Sequence, residues 1–159
     1  MKIAEAMDSI EGRVGLTIEE GARIAGTLEK EGVSFTEISN GFLGTSSRKI
    51  HVGIDSPEKE GYFLNEARIV REATKGPLSL VGGMRSLPVM EEIIRSGVAD
   101  CISICRPFIR EPGLIKRWME GDTHPAECIS CGGCFNVDDH GKMQIFCRQL
   151  KKKRGKKQA

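Results

Sequence analysis

Six cysteines stand in a chain of 159 residues, and four of them gather in its last third. Cys128, Cys131 and Cys134 form a C-x2-C-x2-C run, and Cys147 follows after twelve intervening residues. Thiolates at this compact spacing can wrap a cube of iron and sulfide, and Gly132-Gly133 gives the backbone the freedom to do so. Four thiolates also suit a structural zinc, so the residues alone leave the metal open. His124 and His140 flank the run and read as exposed loop histidines rather than ligands. Cys101 lies in an apolar stretch and reads as a buried, inert thiol.

A second chemistry is written in two strand ends. Val81-Gly82-Gly83-Met84-Arg85 joins an apolar run to a helical pattern. Paired glycines let backbone N–H groups approach an anion closely, and the N-terminus of a following helix favours negative charge. A Gly-Gly turn is equally read as a plain tight turn. Ile104-Cys105-Arg106-Pro107 places a guanidinium directly after another apolar run. Arginine there can fork two hydrogen bonds to a phosphate or a flavin edge, or can simply form a surface ion pair.

These residues need strands and helices to aim them, and the pattern supplies both. Thr17 to Glu31 predicts a helix: Thr17 and Glu20 form a capping box, Ile18, Ala22, Ala25 and Leu28 recur at helical spacing, and Gly32 ends it. Val33 to Ser39 reads as a strand carrying Val33, Phe35 and Ile38. Phe42 to Gly61 reads as a long polar surface loop, in which His51 belongs to no constellation. Tyr62 to Thr74 reads as a helix with Phe63, Ala67 and Val70 on one side, and Leu78 to Val81 as a short buried strand. Pro88 suits the first turn of a third helix carrying Val89, Ile93 and Ile94 and closed by Gly97. Ala99 to Cys105 is a further strand, and Pro112 opens a fourth helix that runs through Trp118 to Gly121. Lys2-Ile3-Ala4 is read as a strand stub. Apolar strands alternating with amphipathic helices predict an α/β fold with a parallel sheet, either doubly wound or part of a barrel. Two successive strand ends bearing phosphate-type signals favour the barrel.

Composition narrows the function classes. The chain carries 24 Lys and Arg against 22 Asp and Glu, for a net charge of +2. Six of the positive charges lie in the tail from Lys151 to Lys157; without them 18 basic residues face 22 acidic ones, a net of −4. Aromatics are 5%, too few for a base-stacking surface, so nucleic acid is an unfavoured partner. No apolar run approaches the length of a membrane span, and no signal-peptide pattern opens the chain. Clustered cysteines without such a signal point to metal binding in a reducing, cytoplasmic compartment.

Taken in order, Gly15-Leu16-Thr17-Ile18-Glu19-Glu20, Gly82-Gly83-Met84-Arg85, Ala99-Asp100, Arg106 to Leu114 and Cys128-Ile129-Ser130-Cys131 resemble the C-terminal part of the NADH:flavin oxidoreductase, or old yellow enzyme, family. The likeness is strongest to its branch of 2,4-dienoyl-CoA reductase and trimethylamine dehydrogenase, and it covers residues 1 to 135. The resemblance implies the C-terminal half of a (β/α)8 TIM barrel with a cysteine-rich loop behind it, and FMN at the C-terminal ends of the strands. It places Lys2 against the N1–O2 edge of the flavin, where a cation stabilises the reduced form. It places Gly82, Gly83 and Met84 on the FMN phosphate, and Cys105 and Arg106 on the usual Gly-Arg pair of the eighth strand, where Cys105 is a departure. It makes Cys128, Cys131, Cys134 and Cys147 ligands of a [4Fe–4S] cluster, with zinc as the alternative. The spacing here is one residue shorter than the family's between the second and third cysteines.

The resemblance further implies an FMN-dependent NAD(P)H oxidoreductase of ene-reductase type, acting on a small-molecule acceptor. Its first four strands, with most flavin-ring contacts and the proton-donating tyrosine, have no counterpart here. Tyr62 does not match that tyrosine and reads as packing, so no general acid is assigned. The expected division is a half-barrel over 1–122, a cysteine segment over 123–148 and a basic disordered tail over 149–159. Open parallel edges predict self-association or pairing with a complementary N-terminal half. One rival reading is a non-catalytic four-cysteine module on an α/β scaffold. Another is a doubly wound nucleotide-binding domain, which the missing G-x-G-x-x-G turn disfavours.

Overall fold

A computed structural model describes residues 2–3, 16–39, 51–137 and 142–151. Four strands form one parallel sheet: β1 (Lys2–Ile3), β2 (Thr36–Ile38), β3 (Leu78–Leu80) and β4 (Cys101–Ile102). Their spatial order is their chain order, β1-β2-β3-β4, with Lys2 beside Glu37, Glu37 beside Ser79 and Ser79 beside Cys101. Doubly wound sheets reverse strand order at a switch point, whereas a barrel adds each new strand on the same side. Four consecutive strands without reversal therefore set aside the doubly wound reading and leave part of a (β/α) barrel.

The helices follow from local chemistry. α1 (Ile18–Lys30) begins with the expected capping box: Glu20 N–H donates to Thr17 Oγ1, and Thr17 N–H donates to Glu20 Oε2. It ends at Gly32, whose φ of +97° suits only a residue without Cβ, and Val33 N–H returns to the Leu28 carbonyl. α2 (Leu64–Ala73) buries Ala67 and Val70, and α3 (Leu87–Arg95) buries Met90 and Ile93. α1 and α2 approach closely at Gly26, where an added Cβ would lie 2.6 Å from the Ala73 carbonyl oxygen. The core joins Ala22 and Ala25 to Ile38, Leu78 and Leu80, and continues through Met84, Met90 and Ile93 to Leu114 and Trp118.

Several elements differ from the sequence expectations. β2 is only three residues long and buries Thr36 and Ile38, while Phe35 is exposed. The parity is set by pairing: Thr36 N–H donates to the Pro77 carbonyl, which turns the even-numbered residues to the helices. In α3 the inward position belongs to Met90, and Ile94 faces solvent. β4 covers only Cys101–Ile102 of the predicted stretch, and Cys101 is half-buried, its thiol donating to the Leu78 carbonyl. The helix predicted from Pro112 is α5 (Leu114–Met119), and a further short helix that the pattern did not announce, α4 (Arg106–Arg110), precedes it, with exposed Pro112 in the break. Pro107 at the first turn of α4 is the residue that permits the earlier start. The strands are not wholly apolar either. Ser103 Oγ donates to Glu37 Oε2 at 2.7 Å and lies 2.7 Å from Ser79 Oγ, so a polar row runs along the face opposite Ile38 and Leu80.

Behind the sheet, β5 (Phe135–Val137) and β6 (Met143–Ile145) form an antiparallel hairpin. A helical turn follows at 148–151.

Candidate functional site

The rim at the C-terminal ends of β3 and β4 is built on a loop laid across it. Gly61 N–H donates to the Gly82 carbonyl at 2.7 Å. A Cβ at Gly82 would stand 3.1 Å from Tyr62 N, and one at Gly83 would stand 2.9 Å from Tyr62 Cε1. Gly83 also has φ +71°. Both glycines are thus demanded by the loop's close approach, and Gly83 by backbone geometry as well. Among the described residues, the N–H groups of Gly82, Gly83 and Met84 find no acceptor. Backbone donors without a protein partner are what an anion site draws on. Met84 contributes only backbone there, because its side chain is buried in the core. The N-terminus of α3, expected to help, is already filled: the Glu60 carboxylate accepts from Arg85 N–H, Ser86 N–H and Ser86 Oγ.

Arg106 reaches the same rim from β4. Its Nη1 donates to the His51 carbonyl at 2.7 Å, and its charge lies near the Tyr62 hydroxyl. The Tyr62 ring stacks on His51 with centroids 4.1 Å apart. Burial pushes the Tyr62 phenol up, and Arg106 opposes that push. Tyr62 therefore packs, as expected, but it packs between Gly83 and Arg106, and His51 belongs to this constellation after all. Neither residue carries a sequence motif; only the fold brings 51, 62, 83 and 106 together. Cys105 is exposed beside Arg106. Of Lys2 the structure gives the strand register alone, beside Glu37.

The cysteines meet behind this rim. Phe146 N–H donates to the Cys134 carbonyl, so the hairpin returns Cys147 to the first three. Ser130, the only non-glycine residue with positive φ among those described (+49°), and Gly132 (+70°) curl the loop between them. Cys128, Cys131, Cys134 and Cys147 line one small pocket, together with Arg106, Arg110, Glu127 and Arg148. Cys134 is buried, and its thiol is pushed up first by that burial and then by the other three cysteines, with Arg106 opposing. Among the described residues, no three His, Cys, Asp or Glu side chains stand at the spacing of a single metal ion. By donor chemistry, four thiols lining one pocket suit an iron–sulfur core and a tetrahedral zinc alike. His124 stands outside that pocket: it is exposed, and its carbonyl serves Trp118 Nε1 and Arg117. His140 lies outside the described residues.

The two sites share a frame. Arg85 donates through Nη1 to the Ile54 carbonyl and through Nη2 to the Ala126 carbonyl, and Gly53 N–H donates to the Ser130 carbonyl. The 51–62 loop is thereby tied to the cysteine loop on one side and to the glycine pair on the other.

No family model matches the chain. It is 31% identical over 144 residues to an NADH oxidase of Thermoanaerobacter brockii, a match that covers 89% of this chain. The chain belongs to the NADH:flavin oxidoreductase, or old yellow enzyme, family. Within that family it is also 30% identical over 131 residues to dimethylamine dehydrogenase of Hyphomicrobium sp. (strain x), covering 77% of this chain. A solved 2-naphthoyl-CoA reductase in complex with 2-naphthoyl-CoA superposes with a TM-score of 0.59 at 30% identity, over 79% of this chain. The chain spans 21%, 18% and 18% of these three relatives, so it corresponds to about a fifth of a family member. No helix among the described residues is long and apolar enough to cross a membrane.

Proposed function

We propose that this chain is the FMN-phosphate-binding part of an FMN-dependent NAD(P)H oxidoreductase of ene-reductase type. The observation that carries the reading is that Gly82, Gly83 and Met84, whose N–H groups have no acceptor among the described residues, follow β3 while the Arg106 guanidinium follows the neighbouring β4, with Tyr62 against both. Backbone donors and a guanidinium are the standard grip on a phosphate. Bound flavin supplies hydride transfer from NAD(P)H to a small-molecule acceptor. This chain's residues hold and orient it: Gly82, Gly83 and Met84 by their N–H groups, Arg106 by its charge, with the Cys105 backbone beside them and Lys2 on the strand that leads to the flavin edge. The flavin-linked names of the relatives, NADH oxidase and NADH-dependent flavin oxidoreductase, support the cofactor class.

In this reading Cys128, Cys131, Cys134 and Cys147 hold a [4Fe–4S] cluster, which carries single electrons when bound. That all four line one pocket supports it. Residues 1–122 form the barrel part, 123–148 the cluster segment and 149–159 a basic tail. Among the described residues β1 and β4 each have one sheet neighbour. Further barrel strands, from a complementary N-terminal half or from self-association, would complete both edges.

The test is flavin titration followed by fluorescence quenching, with Arg106→Ala in parallel. Losing a charge-assisted phosphate grip of about 1.5–3 kcal/mol weakens FMN binding at least tenfold. A chain that retains no FMN, alone or with a supplied N-terminal half, removes the flavin reading. If that chain still takes up metal on four thiols, the non-catalytic four-cysteine module is what remains.

A further inference from the structure

Three arginines and one glutamate line the cysteine pocket, and they are not equivalent. The Arg110 side chain is only 6% exposed, whereas that of Glu127, its ion-pair partner, is 61% exposed. Arg110 sits at the end of α4 with its Nη1 directed at Cys147 Sγ, 4.0 Å away, and its Nη2 on the Glu127 carboxylate. A guanidinium so deeply placed gives up most of its hydration. The Glu127 charge, in water, returns only part of that loss. The stronger compensation must come from negative charge inside the pocket. Cys147 is also the remote ligand, delivered by the β5–β6 hairpin rather than by the compact run, so it is the thiol most in need of a fixed partner.

We propose that Arg110 is the electrostatic partner of the cluster: it anchors Cys147 by an N–H···S hydrogen bond and offsets the cluster's negative charge, thereby setting its reduction potential. This rests on the iron–sulfur reading of the four cysteines given above. Hydrogen bonds to cluster sulfurs and nearby net charge are the protein's main means of tuning such potentials. The added electron on reduction raises the negative charge, so a buried cation favours the reduced form. Arg110 touches the ligand and not the flavin rim. Its effect is therefore one on potential rather than on FMN binding.

The experiment uses the full chain reconstituted anaerobically with ferrous iron and sulfide, and a spectroelectrochemical titration of the cluster band against dithionite. Arg110→Met, which keeps the aliphatic bulk, lowers the equilibrium constant for reduction about tenfold, a fall of about 59 mV for one electron. Arg110→Lys retains most of the parent potential. Glu127→Gln, which leaves the guanidinium and removes its counter-charge, raises the potential at low salt. If Arg110→Met does not take up cluster, Glu127→Gln decides: a rise supports the assignment and an unchanged value overturns it. A loaded Arg110→Met with the parent's potential also overturns it. A parent protein that assembles no cluster instead removes the iron–sulfur reading itself, so the two failures are told apart at the first measurement.

Discussion

Asp100 shows how a single side chain can hold one end of the sheet. Its carboxylate accepts from Leu78 N–H at 2.8 Å and from Arg71 Nη2 at 2.5 Å, while Arg71 also donates to the Val98 and Gly76 carbonyls. The Leu78 N–H, and then Arg71, hold the Asp100 carboxyl below the usual aspartate range. A carboxyl lowered on folding adds stability that is present above its unfolded value and fades as pH falls through the lowered one. Urea melts between pH 6 and pH 2 should therefore show an acid limb that is shallower in Asp100→Asn. The side chain is 55% exposed, so the difference is held by solvent to about 1 kcal/mol or less. Asp100 was legible in the sequence only as part of an Ala-Asp pair. Its partners lie 22 and 29 residues away, and no local pattern announces them. The cysteines were the opposite case, since their ligand spacing is local for three of the four. Tyr62 and His51 were missed as site neighbours because neither is chemically unusual until the loop folds over Gly83.

At the scale of elements, the sequence was most informative where a rule is local. The α1 capping box and its glycine stop were both readable, and Thr17→Ala should cost about 0.5–2 kcal/mol in thermal unfolding. The α4–α5 break was not readable: Pro107 and Pro112 are both plausible helix openers, and a short helix stands at or just after each. Strand lengths were overestimated for a related reason. Apolar runs extend beyond the residues that pair, and pairing is decided by the neighbouring strand. The Gly26 contact makes a sharper prediction. A side chain there meets the Ala73 carbonyl at a distance that no Cβ tolerates, so α1 and α2 must separate. Gly26→Val should lower stability by about 1–3 kcal/mol, whereas the same change at solvent-facing Gly113 should not. Chemical denaturation of the two variants side by side checks the difference. Leu80→Ala, at a fully buried position in β3, should cost about 2–5 kcal/mol in the same assay.

For the whole molecule, strand order carries the architecture and the 51–62 loop carries the site. The barrel class was legible from alternation and from two neighbouring strand ends. What was not legible is that one loop serves both the glycine rim and the cysteine pocket, since its contacts reach residues 82, 85, 106 and 130. A coupled outcome follows. Arg85→Met releases both the Ile54 and Ala126 carbonyls and should shorten the lifetime of bound metal several-fold in a chelator challenge. It should also weaken FMN binding, although Arg85 makes no direct contact with any cysteine.

The arginine clamps have a wider meaning for mutational tolerance. Arg71, Arg85, Arg106 and Arg117 all seize main-chain carbonyls: those of Val98 and Gly76, of Ile54 and Ala126, of His51, and of Asp122 and His124. A carbonyl is the same whatever side chain hangs beside it. Each grip is therefore blind to the identity of the residue gripped, and the held segments are free to drift in sequence while the holder is not. A saturation scan scored by expression should record a lopsided landscape. Positions such as Val52, exposed in a held loop, should accept most replacements, while Arg71, Arg85 and Arg117, which hold two carbonyls each, should reject even lysine, whose single ammonium cannot span two carbonyls at once.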